Sequence, residues 1–182
     1  GVEVANGKFI PLVEATAQTE IKVGEKVYIP NVIMAIWFGD VNRPGKLNGK
    51  SAVAWGRNID HLRSLGFHVV EFDTQAKMKD PSRVVLEAFT VFSRLKQLHG
   101  MYAWGHGEIP NKFSGESGWG DGNEFSLKYR DIALALNYKL GLILNNVCFG
   151  ASAEKPLGAQ GGIFYGFSGI LVPGIQDQYT WN

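Results

Sequence analysis

Between residues 32 and 148 the chain alternates short apolar runs with longer amphipathic stretches, and this alternation constrains the fold more than any other feature. Val32-Ile33-Met34-Ala35-Ile36-Trp37-Phe38-Gly39 is an uninterrupted apolar run, too short for a helix, rich in β-branched and aromatic types, and followed by Asp40. A strand buried on both faces has this composition. After a loop over residues 40–49, Val53, Trp55, Ile59, Leu62 and Leu65 recur at helical spacing up to Gly66, which predicts a helix over residues 50–65. Residues 67–72 alternate with period two, as a strand does. Pro81 then opens a helical face of Val84, Val85, Ala88, Phe89, Phe92, Leu95 and Leu98 that ends before Gly100. Met101-Tyr102-Ala103-Trp104 predicts a third strand running into Gly105-His106-Gly107. A polar, glycine-rich loop from residue 108 to about 124 leads to a third helix over about 126–139, with Ile132, Leu136 and Leu140 inward. Residues 142–147 form a fourth strand that stops at Cys148.

Strand and helix in strict succession imply right-handed crossovers and a mostly parallel sheet covered on both faces, a three-layer α/β/α sandwich. The 182 residues suit one core. Residues 1–30 read as an N-terminal β-hairpin extension built from strands at 8–13 and 20–28, with a turn signal at Val23-Gly24-Glu25-Lys26. Residues 31–182 form the main domain, with strands near 163–167 and 170–172 completing or edging the sheet. The uncharged run 156–176 is long enough for a membrane span, but its six glycines and two prolines point to strands and turns.

Charge and cysteine content exclude several function classes. The 18 basic and 17 acidic side chains nearly cancel, so no long-range field draws the chain to nucleic acid or anionic lipid. The single cysteine, Cys148, rules out an internal disulfide framework and a cysteine-rich zinc site. Gly1 stands where an initiator Met would, which makes the chain read as a fragment of a larger precursor, with self-processing as one origin.

Ligands of such a sheet gather beyond the carboxyl ends of its strands, where loops rest on a rigid base. His106 and Cys148 both stand at such ends. A thiol nucleophile needs a base or an imidazolium partner, which may be distant in sequence when neighbouring strands deliver both side chains. The glycines flanking His106 permit a sharp turn and a close approach of backbone to substrate, and the amides of Gly107 and Cys148 are natural oxyanion donors. Taken separately, a lone cysteine after an apolar strand is a small core residue and a lone histidine in a glycine-rich loop is a solvated one. Their joint placement favours chemistry.

These motifs resemble the caspase-like cysteine peptidases, the group that includes caspases, metacaspases and related bacterial enzymes, over about residues 32–152. The group carries a hydrophobic strand followed by His-Gly, here Met101 to Gly107, and a second ending in the nucleophile, here Leu142-Ile143-Leu144-Asn145-Asn146-Val147-Cys148-Phe149-Gly150-Ala151. Leu65-Gly66-Phe67-His68-Val69 is similar to the group's Leu-Gly-Tyr/Phe-x-Val step. The resemblance implies a thiol endopeptidase acting on a protein or peptide, with Cys148 as nucleophile, His106 protonating the leaving amine and the Gly107 and Cys148 amides holding the oxyanion.

Two specificities of the group lack their residues here. Caspases that cleave after Asp use an arginine in the loop before the first helix, where this chain has Lys46-Leu47-Asn48-Gly49-Lys50. Metacaspases that cleave after Arg or Lys use acidic residues at places that hold Val53 and Asn146. The expectation is a neutral pocket to which Asn145 or Asn146 contributes an amide, with Asp40 the acid near its mouth. Residues 114–124 cluster oxygen ligands that suit calcium but lack the register of an EF-hand, so no cofactor is expected. Gly115-Glu116-Ser117-Gly118-Trp119 fails the serine-elbow pattern at Trp119. Two alternatives stay open: a catalytically silent peptide- or carbohydrate-binding module, suited to five tryptophans and six tyrosines, and a thiol acyltransferase or deamidase.

Overall fold

A computed structural model describes residues 2–3, 9–10, 13–14, 21–23, 26–38, 49–74, 79–120 and 125–170. Short antiparallel strands open the chain: β1 (Val2–Glu3) pairs with β2 (Phe9–Ile10), and β5 (Lys26–Ile29) lies between β3 (Val13–Glu14) and β4 (Ile21–Val23). The expected hairpin is thus three short strands and a separate pair. Residues 20–28 divide into β4 and β5 at the Val23-Gly24-Glu25-Lys26 signal, whose two central residues lie outside the described ones.

The main body follows as β6 (Val32–Trp37), α1 (Gly49–Ser64), β7 (His68–Asp73), α2 (Pro81–Arg94), β8 (Leu98–Trp104), β9 (Gly118–Gly120), β10 (Ser126–Lys128), α3 (Tyr129–Ala135), β11 (Leu140–Asn146), a 3-10 turn (Gly150–Ala153), α4 (Glu154–Leu157) and β12 (Gly158–Gly166). Five strands form one sheet in the order β12-β11-β8-β6-β7, and every neighbouring pair is parallel. Strand addition reverses direction at β6, so α1 covers one face while α2, α3 and α4 cover the other. Period-two alternation divides the buried side chains accordingly. Ile33, Ala35, Val69, Tyr102, Trp104, Leu142 and Leu144 pack with Ala54, Trp55, Ile59 and Leu62 of α1. Met34, Ile36, Met101, Ala103, Ile143 and Val147 pack with Val85, Phe89 and Phe92 of α2 and Ile132 of α3. This is the three-layer α/β/α sandwich the alternation implied. No helix among the described residues is long and apolar enough to cross a membrane.

Three boundaries differ from the sequence reading. Leu98 continues the apolar face of α2 in sequence but lies in β8, because α2 ends in a turn at Leu95 and Lys96, the latter at φ 57. Gly100 is therefore a strand residue rather than a helix stop. A Cβ there would lie 2.1 Å from the Leu142 carbonyl oxygen, so glycine lets β8 and β11 approach. Residues 126–128, assigned to the third helix, form β10 against β9 instead, and the helix stops at Ala135 before an extended Leu136, so α3 is seven residues long. β12 starts earlier than residue 163, through an irregular register, and pairs regularly with β11 from Ile163 onward. Of the expected strand at 170–172, residues 171–172 lie outside the described ones, and Ile170 is not in a strand.

His99, on β8 at the end of the sheet away from Cys148, lies against the Phe67 ring at 5.1 Å, and burial lowers its pKa below the ordinary 6.5. Folding therefore favours the neutral imidazole. That contribution is complete above the unfolded value and is lost as pH falls through the folded one. We expect the urea midpoint to fall between pH 7.5 and 5.5, and to fall less in His99→Phe; equal falls in both proteins would refute the assignment.

Candidate active site

The β8–β11 register sets the site. Ala103 is paired with Asn145 and Trp104 with Asn146. His106 lies two residues past the end of β8 and Cys148 two past the end of β11, so the strands release both residues at the same level of the sheet, one strand spacing apart. His106 and the Cys148 thiol are half-buried. Glycine is required on each side of the histidine. A Cβ on Gly105 would lie 2.1 Å from the Phe38 ring, and one on Gly107 would lie 1.7 Å from the Cys148 carbonyl oxygen. The His-Gly turn and the cysteine turn thus touch through their backbones.

The His106 turn is held from outside by β9. Gly107 stands opposite Trp119 in an antiparallel bridge, with the Gly120 N–H donating to the His106 carbonyl at 3.2 Å and the Glu108 N–H to the Gly118 carbonyl at 3.0 Å. The flanking residues carry those bonds, which leaves the Gly107 N–H off this ladder. Trp119 anchors β9 by full burial, with its ring 5.6 Å from Phe38, 5.9 Å from Tyr129 and 6.3 Å from Phe89. Glu108 is ion-paired to Lys128 of β10, which ties the outgoing loop to the hairpin.

The Cys148 turn is held by the chain on either side of it. Phe149 has φ 53, a left-handed conformation that costs a bulky residue about 1–2 kcal/mol and persists where its surroundings determine it. Here they do so through hydrogen bonds. The Phe149 N–H donates to Gly169 at 2.8 Å, the Gly150 N–H to Val147 at 3.2 Å and the Ala151 N–H to Phe167 at 2.9 Å, while the Ser152 hydroxyl donates to the Phe149 carbonyl at 2.7 Å. The polypeptide leaving β12 therefore straps the Cys148 turn.

The two asparagines before Cys148 face opposite sides. Asn145 is fully buried on the α2–α3 face: its amide nitrogen donates to the Tyr129 hydroxyl and to the Gly150 carbonyl, each at 2.9 Å, and its Oδ1 accepts from Trp119 Nε1 at 2.9 Å. Both donors are engaged inside the protein, so the structure gives Asn145 an internal role rather than a substrate-facing one. Burial, with a smaller contribution from the Glu108 charge, raises the Tyr129 pKa and keeps its hydroxyl protonated. Asn146 lies on the α1 face, buried, in a row with Trp104 and Trp37, whose rings are 5.6 Å apart. Asp40 lies outside the described residues, as do Asp121 and Glu124 of the loop considered for calcium. Among the described residues, no three His, Cys, Asp or Glu side chains cluster as a metal site would require.

Trp119 and Tyr129 were not singled out from sequence. Gly118-Trp119-Gly120 reads as loop, yet an exposed tryptophan is costly, and the alternation Phe125, Leu127, Tyr129 was a signal for a strand on which it could pack. No protein-family model, curated protein or solved structure significantly matches the chain.

The Gly107 contact is open to direct test. Gly107→Ala forces a Cβ into the Cys148 peptide and should destabilise by about 1–3 kcal/mol. Gly56→Ala, in α1 with nothing within 4 Å of its Cβ, should stabilise by about 0.5–1 kcal/mol, and urea titrations of the pair would show the opposite signs. Equal effects would mean that the two turns do not touch.

Proposed function

We propose that the chain is a cysteine endopeptidase working through a Cys148–His106 dyad. The observation that carries this reading is the approach of the His106-Gly107 turn to the Cys148 carbonyl, at the in-register carboxyl ends of β8 and β11. The Cys148 sulfur, as thiolate, attacks the scissile carbonyl carbon, and the negative charge moves to the carbonyl oxygen. The N–H groups of Gly107 and Cys148 stabilise that oxygen. His106, as imidazolium, gives its proton to the leaving amine as the C–N bond breaks, which leaves a thioester on Cys148. Water then loses a proton to His106 and attacks the thioester, releasing the carboxylic acid and restoring the Cys148 thiolate beside the His106 imidazolium. The left-handed Phe149 favours the reading as well, since strain of this kind gathers at catalytic turns.

In this reading the residue before the scissile bond is uncharged. Trp104 and Asn146, the members of the α1-face row next to the dyad, carry no charge. Asp73, opposite Trp37 at the far end of the row, is three strand spacings from Asn146, roughly 14 Å. Glu71, on the same strand, is engaged by Trp55 Nε1 at 2.8 Å and by Arg63 at 3.2 Å.

Cleavage of a peptide library tests both parts. Cys148→Ala should abolish cleavage and change stability by less than about 1 kcal/mol, and His106→Ala should lower kcat/KM by about 10²–10⁴-fold. Undiminished cleavage by Cys148→Ala would end the peptidase reading. A preference for Asp, or for Arg and Lys, would end the reading of the pocket.

A further inference from the structure

We infer that Asn145 is a positioning residue that clamps the His106 turn and the Cys148 turn to one another; its catalytic consequence rests on the peptidase reading. The side chain stands on the strand that delivers the nucleophile and is fully buried. Its three partners belong to three different segments: Trp119 in β9, Tyr129 at the start of α3, and Gly150 in the turn after Cys148. Trp119 is also the residue bridged to Gly107. An unbroken path therefore runs from the histidine turn through Trp119 to the Asn145 Oδ1, and from the Asn145 amide nitrogen to the cysteine turn. The contact at Gly150 is tight, because a Cβ there would lie 2.5 Å from the Asn145 carbonyl oxygen and 3.2 Å from its amide nitrogen. Displacing Asn145 thus displaces the turn.

The chemistry of the path demands a carboxamide. Trp119 Nε1 donates without accepting and the Gly150 carbonyl accepts without donating, so the residue between them must accept on one side and donate on the other. A carboxylate would face the Gly150 carbonyl with a lone pair, and an aliphatic side chain of similar size would leave buried polar atoms on both turns without partners. Tyr129 supplies an internal control. Its hydroxyl accepts from the Asn145 amide and interacts with Trp119, yet it stands on α3, outside both turns, so removing it leaves the Trp119–Asn145–Gly150 path in place.

Hydrogen–deuterium exchange, read by mass spectrometry on peptides covering residues 106–109 and 148–152, tests the clamp independently of cleavage. The variants are Asn145→Leu, Trp119→Phe and Tyr129→Phe. Asn145→Leu should speed exchange in both segments and leave α1 unchanged, Trp119→Phe should speed it in the first, and Tyr129→Phe should leave both near the native rate. In cleavage assays, Asn145→Leu should lower kcat by about 10²-fold with little change in KM, as a misplacement of reacting groups does. Tyr129→Phe should keep kcat. Exchange that rises evenly over the whole protein, or a kcat that falls in all three variants in proportion to lost stability, would overturn the clamp. Should Asn145→Leu fail to fold, Trp119→Phe decides: a first segment that exchanges at the native rate overturns the proposal. Native protein that cleaves no peptide would overturn the peptidase reading alone, and the exchange pattern would still decide the clamp.

Discussion

The pairing of β8 with β11 is the constraint on which the site depends. A parallel pair in fixed register delivers the residues beyond its carboxyl ends to one level, and a slip by one residue would turn every side chain to the other face. Burial on both faces specifies that register strongly. Tyr102 and Leu144 must face α1 while Met101, Ala103 and Ile143 face α2 and α3, and Gly100 closes the pair by allowing the Leu142 carbonyl to approach. His106 and Cys148 inherit their relation from this packing.

Register alone leaves two loops free to move, and the remaining order comes from three further sources. Trp119 binds the histidine turn to the core through aromatic burial. The polypeptide leaving β12 binds the cysteine turn through the Phe149 and Ala151 amides. Asn145 joins the two. Each hydrogen bond is worth about 1 kcal/mol net, so the set can hold Phe149 left-handed at a cost of about 1–2 kcal/mol and leave a surplus. In the proposed reading, turns held in this way would keep the Gly107 and Cys148 N–H groups in position as oxyanion donors.

Local pattern revealed much of this. β6, α1, β7 and β11 are all within about two residues of where apolar runs, Gly66 and helical spacing put them, because each is a long periodic segment with one dominant signal. The parallel order followed from the alternation, and His106 and Cys148 stood out by their positions at strand ends. The misread elements have tertiary causes. Leu98 fits the face of α2 by spacing, and Gly100 looks like a stop until the approach of Leu142 explains it. β9 and β10 are three residues each and exist because Trp119 can be buried between α2 and α3, which the sequence signals only through the short alternation of Phe125, Leu127 and Tyr129. Asn145 and Asn146 are neighbours of one type in sequence, and the pleat alone separates an internal clamp from a residue of the opposite face.

The central claim is that folding makes Cys148 a nucleophile served by His106. Its most direct measurement is the rate at which a peptidyl acyloxymethyl ketone, with an uncharged residue before the reactive group, adds to Cys148, followed by intact mass. One adduct should form, faster on the folded protein than on the urea-unfolded chain and slowed to the unfolded rate by His106→Ala. Addition that is no faster on the folded protein, or that is indifferent to His106, would contradict it.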